Sequence, residues 1–289
     1  MTLPPAVSTL LCLSESEEGL LPLFAILTLF PEALEPYVRS SILGLAEEKG
    51  LARILLVDFR DFARDRHRTV DDRPFGGGPG MVLRPEPIVE CVEWLERRYG
   101  TFRRMLLCPR GAPFRQPLAE ALAREERVLL IAGRYEGFDD RIRDELRLEE
   151  VSLGDFVLAG GEIPALAVLE AAVRLIPGVL GDERSALEDS FRRTDTGPAT
   201  LDHPQYTRPR VFRGRAVPDV LLSGDHEAIR GWRESAALDL TRSRRPDLIA
   251  DAPAAPPNNT TTLPPLDHRR TADGSGNSRS AGGREPTCT

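Results

Sequence analysis

The sequence predicts an α/β protein built on an open, mostly parallel sheet with helices on both faces, followed by a small, mainly helical C-terminal unit. Continuous apolar runs carry the first part: "LFAILTLFP" (23 to 31), "ARILLVDF" (52 to 59), "RRMLLCP" (103 to 109) and "RVLLIAG" (127 to 133) have the length and unbroken hydrophobicity of strands covered on both faces. Helical patterns lie between them, and such alternation is the signature of a parallel sheet. A stretch poor in apolar residues, "RRTDTGPATLD" (192 to 202), then precedes a separate helical pattern and marks off the second unit.

Taken in order, the first run enters a helix with Pro31 near its start and Glu32 in its first turn. Leu34, Val38, Ile42 and Leu45 extend one apolar face of that helix to Gly50. After the second strand the chain turns polar and glycine-rich through 60–80, and Pro85 and Pro87 introduce a helix ending near Tyr99 and Gly100. "QPLAEALAREE" supplies the helix between the third and fourth strands. "VSLGDFVLAGG" holds a fifth strand, and "IPALAVLEAAVRLIPG" forms a strongly apolar helix closed by Pro177 and Gly178. In the C-terminal unit, "HEAIRGWRESAALDLTRSRRPDLI" (226 to 249) places Ile229, Trp232 and Ala236 or Ala237 on one helix face. Residues 251–289 contain no aromatic residue and two leucines, too little apolar surface to offset ordering, which predicts a disordered tail.

Hydrophobic residues at 41% and charged residues at 29% are those of a soluble globular chain. No run approaches the roughly 18 apolar residues that span a bilayer. "SESEEG" at 14 to 19 interrupts the apolar start, and no basic region leads it, so the expected location is the cytoplasm. Cys12, Cys91, Cys108 and Cys288 have neither metal nor disulfide spacing. A net charge of −7 does not by itself suggest a phosphate-binding partner, yet clusters break the average. Arg208, Arg210, Arg213 and Arg215 form one and Arg242, Arg244 and Arg245 another, and such groups can seat a nucleic-acid backbone without reading its sequence.

Open parallel sheets bind ligands beyond the carboxyl ends of their strands. Three loops fall there: "CPRG" (108 to 111), "GRYEG" (133 to 137) and "GDFVLAGGE" (154 to 162). None has the spacing of a dinucleotide fingerprint or the lysine of a P-loop, and "FGGGPG" (75 to 80) also lacks that lysine. Three glycines in "SLGDFVLAGGEIP" exceed what a strand-to-helix turn requires, which points to close backbone approach by a ligand or to tight helix–strand packing. Glu136 and Glu162 fit either a ligand site or the start of a helix. "RDFARDRHRTVDDRP" (60 to 74), with five arginines, four aspartates and His67, reads as a self-paired surface loop or as a segment whose arginines face phosphate. Glu188 and Asp189 in "ALEDSF" are surface carboxylates or a general base for a ring nitrogen.

"LTLFPE", "RDFARDRHRTVDDRPFGGGPGM", "GRYEGFDDRI", "SLGDFVLAGGE", "RLIPGVLG", "EDSF", "HPQYTRP", "VPDVLLSGDHEAIRGW" and "RRPDL", in this collinear order over about 23–249, resemble the bacterial-type tRNA guanine-N1 methyltransferases. The resemblance implies an enzyme of the knotted SPOUT class, with a deep C-terminal trefoil knot in the sheet domain, that transfers methyl from S-adenosyl-L-methionine to N1 of the guanosine immediately 3′ of the anticodon. It implies an N-terminal extension (1–22), a knotted domain (23–190), a flexible linker (191–202), a small helical tRNA-binding domain (203–250) and the tail (251–289). Cofactor contacts are carried to Leu106, Leu107, Cys108, Pro109 and Gly111, to Gly133, Arg134, Tyr135, Glu136 and Gly137, and to Ser152, Leu153, Gly154, Val157, Leu158, Gly160, Gly161 and Pro164. Leu106 and Cys108 stand where family members often have Tyr and Ser. Asp189 takes the role of general base and Arg174 that of a donor to the guanine carbonyl. Tolerance of tRNA close to the backbone is assigned to Gly76, Gly77, Gly78, Pro79 and Gly80, with Arg208 and His226 as further substrate contacts. The family also implies magnesium dependence, with no metal-ligand spacing visible, and an obligate homodimer with its active site between subunits.

Overall fold

All six residues of the first strand, β1 (Leu23–Thr28), are buried, as expected of a strand at the centre of a sheet with both faces covered. The computed structural model describes residues 21–181, 189–191 and 199–250. The five principal strands are β1, β2 (Arg53–Asp58), β5 (Arg103–Pro113), β6 (Arg127–Ala132) and β7 (Glu149–Ser152). They run parallel in the order β2-β1-β6-β5-β7.

Strand side chains alternate between faces, and each face has its own core. Phe24, Ile26, Ile54, Leu56, Met105, Leu107, Val128 and Leu130 pack on one side. There they meet α1 (Pro31–Val38), α2 (Ser41–Glu48), α4 (Gln116–Leu122) and α6 (Glu162–Val173). Ala25, Leu27, Leu55, Val57, Leu106, Leu129 and Ile131 point the other way, onto α3 (Pro85–Tyr99) and α5 (Arg141–Leu146). This is the three-layer α/β arrangement expected from the sequence.

Several local expectations change. The single helix expected to reach Gly50 is two, because the chain breaks at Arg39 and Ser40. Ser40 Oγ donates to the carbonyl of Tyr37 at 2.9 Å, and Ser41 takes a left-handed φ of 52°, so α2 starts in a new direction. The third strand does not end at Pro109. It continues to Pro113, and both Leu107 and Ala112 pair with Val151, so "CPRG" is extruded from within the strand as a bulge. Two short antiparallel pairs and α5 carry too few residues to show periodicity. One pair, β3 (Asp71–Asp72) with β4 (Val82–Leu83), closes the base of the glycine-rich loop. The other, β8 (Val211–Phe212) with β9 (Arg215–Ala216), turns through Arg213 and Gly214, both at positive φ as a two-residue hairpin requires.

The C-terminal unit centres on α7 (His226–Arg244), whose first turn is capped by Asp225, its carboxylate accepting from the amides of Glu227 and Ala228. Pro246 separates it from α8 (Asp247–Ala250). No helix among the described residues is long and apolar enough to cross a membrane. Residues 1–20 of the expected extension 1–22, the tail 251–289 and most of the linker 191–202 lie outside the described residues.

Candidate active site

The three loops expected beyond the strand ends come together around one cavity of about 450 Å³, a volume suited to a small organic ligand. Sixteen of the eighteen residues expected to hold a cofactor line it: Leu107, Cys108, Pro109, Gly133, Arg134, Tyr135, Glu136, Gly137, Ser152, Leu153, Gly154, Val157, Leu158, Gly160, Gly161 and Pro164. Leu106 does not. Adjacent strand residues face opposite ways, and Leu106 is fully buried in the core against α3 and α5 while Leu107 turns toward the cavity. Leu106→Ala is therefore expected to cost about 2–5 kcal/mol of stability, read by denaturant unfolding, with ligand affinity at the cavity unchanged.

Gly111 is the other residue set apart from the lining. It brings the bulge back onto β7, where an ideal Cβ would lie 2.2 Å from the amide nitrogen of Val151. Gly161 makes a similar close approach, with an ideal Cβ 2.8 Å from Ala132 Cα, and its amide donates to the carbonyl of Gly133 at 2.8 Å. An antiparallel bridge between Arg134 and Gly160 continues that join. The "GRYEG" and "LAGGE" loops are thus stitched together by backbone, and the glycines serve both close packing and the cavity wall.

Lining residues that the sequence did not single out are Arg110, Phe138, Asp140, Arg143, Val151, Phe156 and Ala159. Asp140 accepts from Arg110 at 2.8 Å and from Arg143 at 2.7 Å. The Arg110 guanidinium, and then that of Arg143, hold its carboxyl below the usual carboxylate range. Arg143 also contacts Glu150, which accepts from the Cys108 thiol at 3.3 Å. The spacing of "RYEGFDDRIR" could have suggested this charged rim, but its partners on the bulge are about a strand away in the fold. Cys91 is fully buried, and desolvation raises its thiol pKa well above the ordinary value.

The glycine-rich loop adjoins the same site. The Glu136 amide donates to the carbonyl of Met81 at 3.0 Å, and the Leu83 amide to that of Gly137 at 2.8 Å. Gly76, Gly77, Gly78 and Gly80 all have positive φ, a backbone path that side chains disfavour, and Pro79 lies among them. Pro79 and the four glycines are exposed.

Asp189 and Arg174 are brought into contact, with Arg174 donating to the carboxylate at 2.6 Å. Neither lines the glycine-walled cavity. Glu188 lies outside the described residues. In the C-terminal unit Arg208 lines a second cavity, about 970 Å³, with Arg210, Arg233, His203 and Tyr206, whereas His226 is exposed at the start of α7 outside that lining. No group of three or more His, Cys, Asp or Glu side chains among the described residues is placed to hold a metal ion.

A family model described as tRNA (Guanine-1)-methyltransferase TrmD matches residues 23–251. Proteins named tRNA (guanine-N(1)-)-methyltransferase are similar over nearly the same span. That of Pelotomaculum thermopropionicum is 50% identical over 229 residues, which cover 78% of this chain and 89% of the relative. That of Bacillus subtilis is 50% identical over 228 residues, covering 78% and 92%. That of Rhodopirellula baltica is 50% identical over 242 residues, covering 83% and 99%. Matched over residues 23–251, from its first central strand to just past its last described helix, the chain belongs to the tRNA (Guanine-1)-methyltransferase TrmD family.

Proposed function

We propose that the protein transfers methyl from S-adenosyl-L-methionine to N1 of the guanosine immediately 3′ of the anticodon in tRNA. The observation that carries this reading is the Arg174–Asp189 contact at 2.6 Å. On guanine, N1–H and the carbonyl O6 sit on neighbouring ring atoms. A carboxylate and a guanidinium held side by side match that edge: Asp189 accepts the N1 proton and Arg174 donates to O6, where negative charge develops as the proton leaves.

The glycine-walled cavity fits the methyl donor by shape and chemistry. Backbone from three loops lines it, and Leu107, Val157 and Leu158 supply apolar walls for a flat ring. When bound there, S-adenosylmethionine supplies an electrophilic methyl on a sulfonium. The N1–C bond forms as the S–C bond breaks, leaving a thioether, and no protein nucleophile is required. The protein's part is alignment and removal of one proton. Magnesium dependence, as the resemblance implies it, belongs to the same reading.

Asp189 and Arg174 do not line the cavity within one chain, which supports a homodimer in which a second copy brings its pair to the methyl donor. Exposed apolar residues at the mouth, Tyr135, Phe156, Val157 and Leu158, are suited to being covered by such a partner or by tRNA. A trefoil knot threaded by the 133–161 loops, and cytoplasmic residence beside tRNA, belong to the same reading. Arg208, Arg210 and Arg233 have no ion pair among the described residues, and they favour an RNA backbone at the C-terminal unit.

Two tRNA transcripts, differing only by guanosine or adenosine 3′ of the anticodon, test the reading. Incubation with methyl-labelled S-adenosylmethionine should give N1-methylguanosine from the first and no product from the second. Equal labelling of both, or label at another base, would overturn it.

A further inference from the structure

We infer that Glu162 is a positioning residue for the cofactor pocket, acting through Arg134. This rests on the reading of the glycine-walled cavity as the S-adenosylmethionine site. Glu162 opens α6, where a carboxylate is favoured by the helix dipole, but its side chain does not remain at the surface. The residue is 4% exposed, and its two oxygens serve different elements. Oε1 accepts from Thr28 Oγ1 at 3.0 Å, at the end of the central strand. Oε2 faces Arg134 Nε at 3.0 Å, and both atoms are buried without a well-aligned hydrogen bond between them.

A buried carboxylate is costly unless a charge and hydrogen bonds compensate it. Helix capping alone does not call for that expense, since a solvent-facing side chain would supply it. What burial achieves here is control of Arg134. Its guanidinium is held between Glu162 and the ring of Phe30, 4.6 Å from the ring centroid, while its backbone bridges Gly160 at the cavity wall. Thr28 ties the assembly to the sheet: its hydroxyl donates to Glu162 and accepts from the Phe30 amide at 3.0 Å. The strand end is therefore tied by a single carboxylate to the "GRYEG" and "LAGGE" loops, which backbone contacts already join. Gly160 is part of the same fit, since an ideal Cβ there would lie 2.3 Å from Glu162 Oε2 and 2.4 Å from Arg134 Nε. Glu162 touches neither methyl donor nor guanine in this scheme; it sets the loop that does.

Glu162→Gln keeps the size and an acceptor for Thr28 but removes the charge that holds Arg134. The expected result is a rise in KM for S-adenosylmethionine of about tenfold, as the loop carried by Arg134 loses its ionic anchor, with kcat changed far less. Calorimetric titration with S-adenosylhomocysteine should show the same loss. Thr28→Val should weaken binding in the same direction, and Thr28→Ser, which restores the hydroxyl, should recover it; a merely structural defect would not follow the hydroxyl. Wild-type affinity in Glu162→Gln, or equal behaviour of Thr28→Val and Thr28→Ser, would overturn the inference while leaving the pocket reading intact. Failure of the wild-type protein itself to bind S-adenosylhomocysteine would overturn the pocket reading instead.

Discussion

Asp189→Asn is expected to lower kcat for methyl transfer by about 10³-fold, within the range for loss of a positioned general base, while affinity for S-adenosylhomocysteine stays at the wild-type level. An amide of the same shape preserves contact with Arg174 but cannot take the N1 proton. The N1 lone pair is then not released toward the methyl carbon at the moment of transfer. Stability should change little. Asp189 is 45% exposed at its side chain and Arg174 28%, and a solvent-accessible ion pair contributes about 0–1 kcal/mol. Arg174→Ala is expected to cost about 10²-fold through loss of the donor to O6. If the two act as one unit on one base edge, the double variant should lose far less than the product of the single losses. Single-turnover kinetics on pre-bound tRNA separates these effects from product release. Normal turnover by Asp189→Asn would remove Asp189 from the base role.

Much of the fold was legible because the strands are extreme cases. Residues of β1, β2 and β6 are buried on both faces, so their runs are apolar without interruption. Elements whose limits depend on one side chain were not legible. The break between α1 and α2 follows from Ser40 bonding back to Tyr37 inside an otherwise continuous apolar periodicity. The "CPRG" bulge exists because Ala112 returns to the same partner, Val151, that Leu107 already uses, and no local pattern reports a partner some forty residues away. Site residues divide in the same way. Glycines and loop positions beyond strand ends were identifiable from spacing and resemblance. Leu106 was grouped with its neighbour because the motif is contiguous, although strand geometry sends the two side chains to opposite layers. Glu162 read equally well as a helix-start carboxylate, since its burial and its contact with Thr28 arise only when β1 and α6 pack. Local chemistry was therefore readable, and long-range registration was not.

Gly111→Ala is the substitution expected to damage the pocket most for the fewest added atoms. An ideal Cβ at Gly111 would lie 2.2 Å from the amide nitrogen of Val151, 2.4 Å from the carbonyl carbon of Glu150 and 2.5 Å from that of Val151. All three are backbone atoms of the paired strand, so no rotamer change relieves the clash. Either β7 separates from β5 or the bulge reverses, and both movements displace Cys108 and Pro109 on one side of the cavity and Ser152 on the other. Turnover should fall by about 10²-fold or more, since displacement on the scale of an ångström is enough for that loss, and affinity for S-adenosylhomocysteine and the thermal midpoint should fall with it. Gly161→Ala should act in the same sense but less severely, its nearest atom being Ala132 Cα at 2.8 Å. Gly231→Ala provides the opposite sign. Gly231 lies within α7 with nothing within 4 Å of an ideal Cβ, so alanine should stabilise by about 1 kcal/mol through helix propensity and leave cofactor binding unchanged. The three variants measured together by calorimetric titration and thermal unfolding separate close packing at the pocket from a general effect of adding a methyl group. An affinity loss that is no larger at Gly111 than at Gly231 would mean that the bulge does not shape the site.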